Sequence, residues 1–344
     1  MTVLEEKKYI TNSLLDIVFL DNGNVAVKNL NERFCIKGEG VSNVVVDIIE
    51  LFGTSHVFSE AINSLSLKYN AHSLRRLMDL FVDKGVLIEH SEYLDMSCIV
   101  NEDMKNALMY TSASMSLNKI IETAEQHHIG IIGGEYFVTV IYDVLKRFSL
   151  PFNVKAIITD NDIMRENIKS LENATYISSL DSKCKITELV EASTFVIAAS
   201  NGYDHQMFYK VNELCMSKRI EWLRIVIDGV ITEIGPLFIS NNTACYSCLH
   251  ENHKRNMTPD EFVFDNLYYE NKLDKSLMGY RTLFPLVDMS ASISCSEMIK
   301  YICGMKCNLR EHVLMINGMD ISTQKGRIYK NNNCSICGEG KEIC

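Results

Sequence analysis

The sequence predicts an α/β protein in which a winged-helix-like domain precedes a Rossmann-like domain. Short β-branched and aromatic runs followed by helical patterns fill the first ninety residues, and strands alternate with helices from residue 128 onward. Two C-x-x-C pairs, one in CYSC and one in CSIC near the end, add a predicted four-cysteine metal site.

The N-terminal unit is predicted to contain a small sheet and three helices. Three strand-like runs occupy residues 14–20, 24–30 and 33–39, and Asp21-Asn22-Gly23 between the first two is a strong hairpin signal. Helical patterns follow at 41–53, 59–69 and 71–84, and VLIE then forms a closing strand. We therefore place a winged-helix-like domain at residues 1–92, and a polar connector at 93–127.

The remaining residues, 128–344, are predicted to form the Rossmann-like domain. HIGIIGG at 128–134 is typical of a buried strand, and helix and strand patterns alternate from there to residue 229. Such alternation predicts a mostly parallel sheet that binds its ligand where the strands end. Residues 258–280 are predicted to be a surface excursion, and 312–318 and 326–331 to be a last pair of strands.

Composition narrows the function classes. The formal net charge of −10 disfavours nonspecific nucleic-acid binding. The opening MTVLEEKKYI lacks the apolar core of a signal peptide, and no stretch reaches the length of a membrane helix, so we expect a cytoplasmic protein. The twelve cysteines are then expected to be thiols or metal ligands rather than disulfides.

Four of the cysteines are spaced as metal ligands. Two C-x-x-C turns that each present two sulfurs predict a tetrahedral Zn²⁺ site, and four thiolates leave no open position for catalysis. The zinc is therefore expected to be structural and to join the C-terminal tail to the α/β body. The alternative is that His250, His253 or Cys344 replaces one ligand. The predicted ligands are Cys245, Cys248, Cys334 and Cys337.

The turn after the first Rossmann-like strand has lost much of a nucleotide-binding pattern. An ATP-binding version would read G-x-G-G-x-G, but only Gly133 and Gly134 remain, since Ile131 and Tyr136 fill the outer positions. Glu135 would place a negative charge where a phosphate should bind the helix N-terminus. The sequence thus argues against ATP binding by this chain, and the two glycines are interpreted as a tight turn.

Residues 128–344 resemble the ThiF-like, ubiquitin-activating-enzyme-like superfamily. The resemblance is carried by the broken glycine motif, an acidic strand end in ITDND (158–162), SNGYDHQ (200–206), GPLFI (235–239) and the two C-x-x-C pairs. A winged-helix-like unit ahead of such a domain resembles the peptide-recognition element of proteins that mature ribosomally made peptide antibiotics.

Two branches of that group share this plan. One contains the ATP-dependent adenylyltransferase of microcin C maturation, and the other contains ThiF-like partners of YcaO-type cyclodehydratases, whose own nucleotide site is degenerate. The stretch with Arg165 and Asn167 lacks the N-x-x-R-Q pattern of active members, so the chain looks like the second branch. Asp204 stands where active members hold a magnesium-binding Asp, although an N-cap is the commoner role there. The resemblance implies a degenerate nucleotide site at Gly133, Gly134, Asp162 and Asp204.

The resemblance implies a leader peptide added as a strand to the N-terminal sheet and lying against its third helix. Alternatively these apolar side chains only form the domain core. The expected peptide-binding residues are Arg33, Phe34, Cys35, Ile36 and Lys37 on the strand, and Leu74, Arg75, Leu77, Met78 and Phe81 on the helix.

The expected function is therefore to bind the leader of a thiopeptide-type precursor and present its core to a YcaO-type cyclodehydratase for thiazole or thiazoline formation. An adenylyltransferase acting on a peptide C-terminus is the main alternative, and a sulfur-transfer protein using Cys184 or Cys344 is a third. A dehydrogenase is a further possible partner, a homodimer is plausible, and residues 258–280 are candidates for docking the partner enzyme.

Overall fold

Two compact units make up the chain, and the division falls between Ile120 and Ile121. The computed structural model describes residues 6–12, 15–28, 33–90, 117–159, 174–177, 182–269 and 283–338. The predicted connector at 93–127 lies mostly outside these residues, and its assignment stays a prediction.

Among its described residues, the N-terminal unit contains two small sheets and three helices. Strand β1 lies between β5 and β6 in one sheet, and β3 lies between β2 and β4 in the other; all pairs are antiparallel. The elements are β1 (Lys8–Thr11), β2 (Asp16–Phe19), β3 (Val25–Lys28), β4 (Arg33–Ile36), α1 (Val41–Leu51), β5 (His56–Val57), α2 (Phe58–Leu65), α3 (Ala71–Asp83) and β6 (Leu87–Glu89).

Local sequence explains the hairpin and the third helix. Gly23 adopts φ +77°, which favours glycine, and its N–H donates to the Leu20 carbonyl at 2.9 Å to close the turn between β2 and β3. The Asn70 side chain caps α3 by accepting from the Ser73 N–H at 3.1 Å. Both features follow from residues that the sequence makes visible.

Strand β1 is an element that the hydrophobic pattern did not indicate. It is four residues long, and two lysines precede its buried Tyr9 and Ile10, so no period-2 alternation develops. It forms because β5 and β6 supply backbone partners on both sides. The pairing is therefore a tertiary effect rather than a local one.

The C-terminal unit is built on an eight-stranded sheet. Its elements are α4 (Leu117–Glu125, which crosses the division), β7 (His128–Gly133), α5 (Glu135–Arg147), β8 (Asn153–Thr159), β9 (Ala174–Ile177), α6 (Ser182–Glu191), β10 (Phe195–Asn201), α7 (His205–Lys218), β11 (Glu221–Asp228), β12 (Ile231–Phe238), α8 (Tyr246–Asn256), α9 (Pro259–Tyr269), α10 (Phe284–Ile302), β13 (His312–Asn317) and β14 (Thr323–Arg327).

The sheet order is β14-β13-β12-β11-β10-β7-β8-β9. Strands β7 to β11 are parallel and form the expected crossovers through α5, α6 and α7, whereas β12, β13 and β14 continue the sheet as antiparallel neighbours. The carboxyl ends of β7, β8 and β10 thus meet at one edge, where α/β proteins place ligands.

The predicted surface excursion at 258–280 begins as a helix. Thr258 and Glu261 form a capping box, in which the Glu261 carboxylate accepts from the Thr258 N–H at 2.7 Å. Helix α9 follows as far as the described residues reach. Within the described part of the chain, none of the helices has both the length and the hydropathy needed to cross a bilayer.

Candidate functional site

Four thiols from two distant segments come together beside α8. Cys245 is the N-cap of this helix and Cys248 lies in its first turn, while Cys334 and Cys337 lie in a turn after β14. The Sγ–Sγ distances are 4.0 Å for Cys245–Cys248, 3.6 Å for Cys245–Cys334 and 3.4 Å for Cys248–Cys337. Each pair thus contributes to one compact cluster, as the spacing indicated.

The cluster has the size of a tetrahedral metal site. Four sulfurs bound at about 2.3 Å, the length of a zinc–thiolate bond, lie about 3.8 Å apart, and the observed separations bracket that value. Backbone N–H groups of Asn331 and Ile336 donate to Cys248 Sγ at 3.4 Å and Cys334 Sγ at 3.5 Å, as is usual around bound thiolates. The hydrogen bond from Cys245 lowers the pKa of the Cys248 thiol, whereas the same contact raises the pKa of Cys245.

The two histidine alternatives do not join the thiols. Both ring nitrogens of His250 contact other residues, and His253 belongs to neither of the two metal-ligand-like clusters among the described residues. Cys344 lies outside those residues. Cys184, the proposed sulfur carrier, is exposed on α6, where its thiol donates to Glu188 at 3.5 Å.

A second buried cluster ties α7, α8 and α9 together. His205 and Tyr209 are four residues apart on α7, and Tyr246 and His250 are four apart on α8, so each histidine meets the tyrosine of the other helix. The Nδ1–hydroxyl distances are 2.9 Å for His205–Tyr246 and 2.8 Å for His250–Tyr209. Asp265 of α9 lies 2.9 Å from each Nε2, through a different oxygen for each ring.

Burial controls the protonation of this His–Tyr–Asp cluster. It lowers the pKa of His205 to about 4, an effect that the neighbouring His250 reinforces, and it also lowers the pKa of His250. Both imidazoles are therefore favoured in the neutral form, and their rings stack with centroids 4.2 Å apart. We interpret the cluster as a hydrogen-bond network that joins three helices. The only signal of it in the sequence is a His and a Tyr four residues apart in each of two helices.

Gly133 of the shortened glycine motif is required by strand packing. A Cβ at this position would lie 2.6 Å from the backbone oxygen of Ala199 on β10. Gly134 is the N-cap of α5 with φ −64° and ψ 157°, a conformation open to any residue. Neither glycine therefore needs a phosphate to explain its presence.

Large groups occupy the phosphate end of α5. The Glu135 side chain is buried in the first turn, and the Tyr136 ring packs edge-on against Phe284 with centroids 4.9 Å apart. Asp204 caps α7 by accepting from the Met207 N–H at 3.0 Å. Asp162, the remaining residue of the predicted degenerate site, lies outside the described residues, as do Arg165 and Asn167.

In the N-terminal unit, β4 is an edge strand with outward-facing backbone groups. The Leu20 N–H donates to Asn24, which fixes Leu20–Asn24 as a hydrogen-bonded pair of the hairpin. Hydrogen-bonded pairs alternate with non-hydrogen-bonded pairs along an antiparallel ladder. The backbone N–H and C=O groups of Val25 and Val27 on β3 therefore face β4, where these residues lie opposite Ile36 and Phe34. The N–H and C=O groups of Arg33 and Cys35 consequently point away from β3. Among described residues β4 pairs with β3 alone.

The predicted helical wall divides into buried and accessible residues. Leu74, Met78 and Phe81 are at most 1% exposed and belong to the core of the N-terminal unit. Leu77 is half-buried, and Arg75 is partly exposed near Asp79, 3.8 Å away. In this conformation only Arg75 and Leu77 of the five can contact a peptide.

A groove of about 880 Å³ lies along the β2–β4 sheet. Its lining combines apolar side chains with charged ones of both signs. The apolar residues include Leu15, Ile17 and Phe34, and the charged residues are Asp16, Lys28 and Arg33. Of the five predicted strand residues, Arg33, Phe34 and Cys35 line it, Ile36 is 9% exposed, and Lys37 is exposed beyond the strand end.

Comparison with known proteins identifies the family of this chain. The ThiF family matches residues 159–336, which is more than half of the chain. The chain belongs to the ThiF family. This membership confirms the resemblance drawn from the sequence. No curated protein sequence matches the chain.

Three solved structures share the fold over nearly the whole chain. Escherichia coli MccB is 14% identical, with a TM-score of 0.72 over 97% of this chain and 98% of MccB. The microcin C7 biosynthetic enzyme MccB in complex with N-formylated MccA is 15% identical, with a TM-score of 0.71 over 96% of this chain and all of the other. The heterocyclase TruD is 12% identical, with a TM-score of 0.65 over 97% of this chain and 43% of TruD.

Proposed function

We propose that the chain binds the leader of a ribosomally synthesised precursor peptide and presents its core to a YcaO-type cyclodehydratase. The main support is that protein side chains fill the N-terminus of α5, where a nucleotide phosphate would bind. Glu135 is buried in the first turn, and Tyr136 packs against Phe284. A carboxylate there opposes a phosphate at the positive end of the helix. Similarity to MccB, which has been solved with a precursor peptide, and to the heterocyclase TruD supports the peptide-modification setting.

The N-terminal unit is proposed to be the winged-helix-like leader-recognition domain. Its edge strand β4 offers two residues, Arg33 and Cys35, whose backbone groups face outward, beside a groove lined by Phe34. An extended peptide can complete such an edge, with its backbone supplying affinity and its side chains supplying specificity. Arg75 and Leu77 of α3 are proposed as further contacts.

The C-terminal unit is proposed to serve as a frame. Cys245, Cys248, Cys334 and Cys337 would hold a structural Zn²⁺, which joins the segment after β14 to α8. Because four thiolates fill the coordination sphere, the zinc would supply structural stability and no catalysis. Reduced thiols of this kind suit the cytoplasm, where we propose the protein works.

Helix α9 is proposed to dock the partner enzyme. Three consecutive apolar side chains of this helix, those of Phe262, Val263 and Phe264, are 45%, 56% and 57% exposed. Exposed apolar side chains that lie together are typical of an interaction surface. Tyr268 and Tyr269 end the helix, and their side chains lie outside the described contacts.

A second candidate is an ATP-dependent adenylyltransferase. The observation that favours it is coverage, since the chain matches 98% of MccB but 43% of TruD. MccB has also been solved with ATP. This candidate requires an open phosphate end of α5, which Glu135 and Tyr136 disfavour.

Strand addition is tested by comparing two variants of one exposed residue. Cys35→Pro removes an outward N–H, whereas Cys35→Ser keeps it, and edge strands tolerate proline at outward positions. Fluorescently labelled precursor-like peptides encoded beside the gene are titrated against each variant. We expect C35P to lose at least tenfold in affinity and C35S to match the wild type. Equal affinities of C35P and C35S would overturn the proposal.

Hydrogen exchange provides a second measurement that does not depend on a substitution. Leader binding should slow exchange at the Arg33 and Cys35 amides, because these N–H groups acquire acceptors. Ile36→Pro is unsuitable as the main variant, since its N–H faces β3 and its side chain is buried. Leader binding that left amide exchange in β4 unchanged would contradict strand addition.

A further inference from the structure

The outer face of the β2–β4 sheet carries an incomplete row of charges. Asp16 on β2 lies opposite Lys28 on β3, and Lys28 in turn lies opposite Arg33 on β4. Lys28 and Asp16 form an ion pair with Nζ and Oδ2 3.2 Å apart. Arg33 therefore has a like charge on one side and the open sheet edge on the other.

Arg33 has no acidic partner among the residues that the structure describes. Its side chain is exposed, and among the described residues of this sheet the one ion pair joins Lys28 to Asp16. Like charges directly opposite each other in a sheet are destabilising, and an opposite charge on the other side relieves them. The position across the edge from Arg33 is thus suited to a carboxylate.

The inner face of the same sheet carries apolar rows. Ile17, Val27 and Phe34 lie opposite one another, as do Phe19, Val25 and Ile36. Val25 and Val27 are buried, and Phe34 is half-buried at the edge. A residue added across from Phe34 or Ile36 would extend an apolar row, so its own side chain should be apolar.

We infer that the occupant of the β4 edge is an extended peptide with an acidic side chain opposite Arg33 and apolar side chains opposite Phe34 and Ile36. The inference rests on the proposed leader binding and adds the chemistry of the segment. Because faces alternate along a strand, the acidic residue is adjacent to one apolar residue and three positions from the other. It precedes them in one strand direction and follows them in the other.

Selection of binding peptides from a random library tests directly for one acidic and two apolar positions at this spacing. The full chain is used as bait, and an enriched peptide is then synthesised with its acidic residue as Glu, Gln or Lys. A cross-strand pair of opposite charges is worth a few tenths to about 1 kcal/mol, so wild type should prefer Glu over Gln by about 2- to 5-fold. The preference should shrink at high salt, since the pair is exposed.

Charge reversal at Arg33 assigns the preference to this residue. In Arg33→Glu the order should invert, so that the Lys peptide binds better than the Glu peptide. Arg76→Glu, on the exposed face of α3, changes the net charge equally and should keep the wild-type order. An unchanged order in R33E, or enriched peptides with no acidic preference, would overturn the inference.

Cys35→Pro separates the inference from the proposal beneath it. Peptides that bind the wild type but not C35P establish strand addition, whatever their charge pattern. If those peptides ignore the charge at residue 33, the inference alone fails. If C35P binds them as well as C35S does, strand addition fails and the inference falls with it.

Discussion

Replacing Gly133 by alanine tests whether strand packing, rather than a phosphate, keeps this glycine. A carbon and a carbonyl oxygen of neighbouring strands normally approach to about 3.3 Å or more. The added Cβ would lie 2.6 Å from the Ala199 oxygen, and both β7 and β10 are fixed in the centre of the sheet. The two strands must therefore separate locally or distort.

The expected loss of stability is about 2 kcal/mol. Overpacking of this kind costs about 1–3 kcal/mol, and a backbone neighbour favours the upper part of that range. The lower entropy of the unfolded alanine chain returns about 0.4–1 kcal/mol. For a unit of this size, 2 kcal/mol corresponds to a decrease in Tm of about 4–8 °C.

The single tryptophan makes the assay specific to the C-terminal unit. Trp222 is fully buried on β11, so its fluorescence reports unfolding of this unit in urea. Gly326→Ala is the matched control, because a Cβ there meets nothing within 4 Å. We expect a lower urea midpoint for G133A and an unchanged or slightly higher midpoint for G326A. Equal midpoints for G133A and wild type would refute the packing argument.

Three further predictions concern the frame. Replacing Cys334 and Cys337 by serine should reduce bound zinc, measured by elemental analysis, from one equivalent to none and lower the Tm by more than 10 °C; retained zinc would disprove the assignment. Arg224→Met should lower the free energy of unfolding by about 3–5 kcal/mol, because it leaves the Glu233 carboxylate buried without its cation. The double variant R224M with Glu233→Leu should recover most of that loss, as measured by urea denaturation. Burial raises the pKa of Glu233, but Arg224 lowers it more, so that the pKa lies below the ordinary value of 4.5. The stability that the Glu233 carboxylate contributes is therefore complete above pH 4.5 and is lost as the pH falls below that value. Below pH 4.5 the urea midpoint followed by Trp222 fluorescence should decrease in the wild type and decrease less steeply in the double variant.

Local patterns predicted the parts of the fold that local chemistry determines. The Gly23 turn, the third helix of the N-terminal unit and the alternation of strands and helices after residue 128 all follow from residue type and spacing. The four thiols could be grouped because C-x-x-C spacing places two sulfurs on one side of a turn.

Features that depend on distant partners could not be read from the sequence. Strand β1 forms because β5 and β6 lie beside it, and the His–Tyr–Asp cluster forms because α7 and α8 pack with their His and Tyr positions reversed. The division of α3 into buried Met78 and accessible Arg75 also required the packed structure. Periodicity identified the apolar face but not what covers it.

Burial of Glu135 was the least predictable part of the candidate nucleotide site. The sequence placed a carboxylate in the first turn of α5, but only the structure shows the side chain buried and Tyr136 packed against Phe284. The sequence indicated a tight turn at Gly133, and the contact with the Ala199 oxygen adds a packing requirement that spacing alone did not indicate.

ATP–pyrophosphate exchange by the purified chain, measured beside a leader titration, tests the central claim most directly. The account predicts saturable leader binding with no exchange above the protein-free background, with and without the peptide. MccB with MccA serves as the comparison protein, since separate structures of MccB hold ATP and N-formylated MccA. Leader-dependent exchange by this chain alone would contradict the account and establish the adenylyltransferase instead.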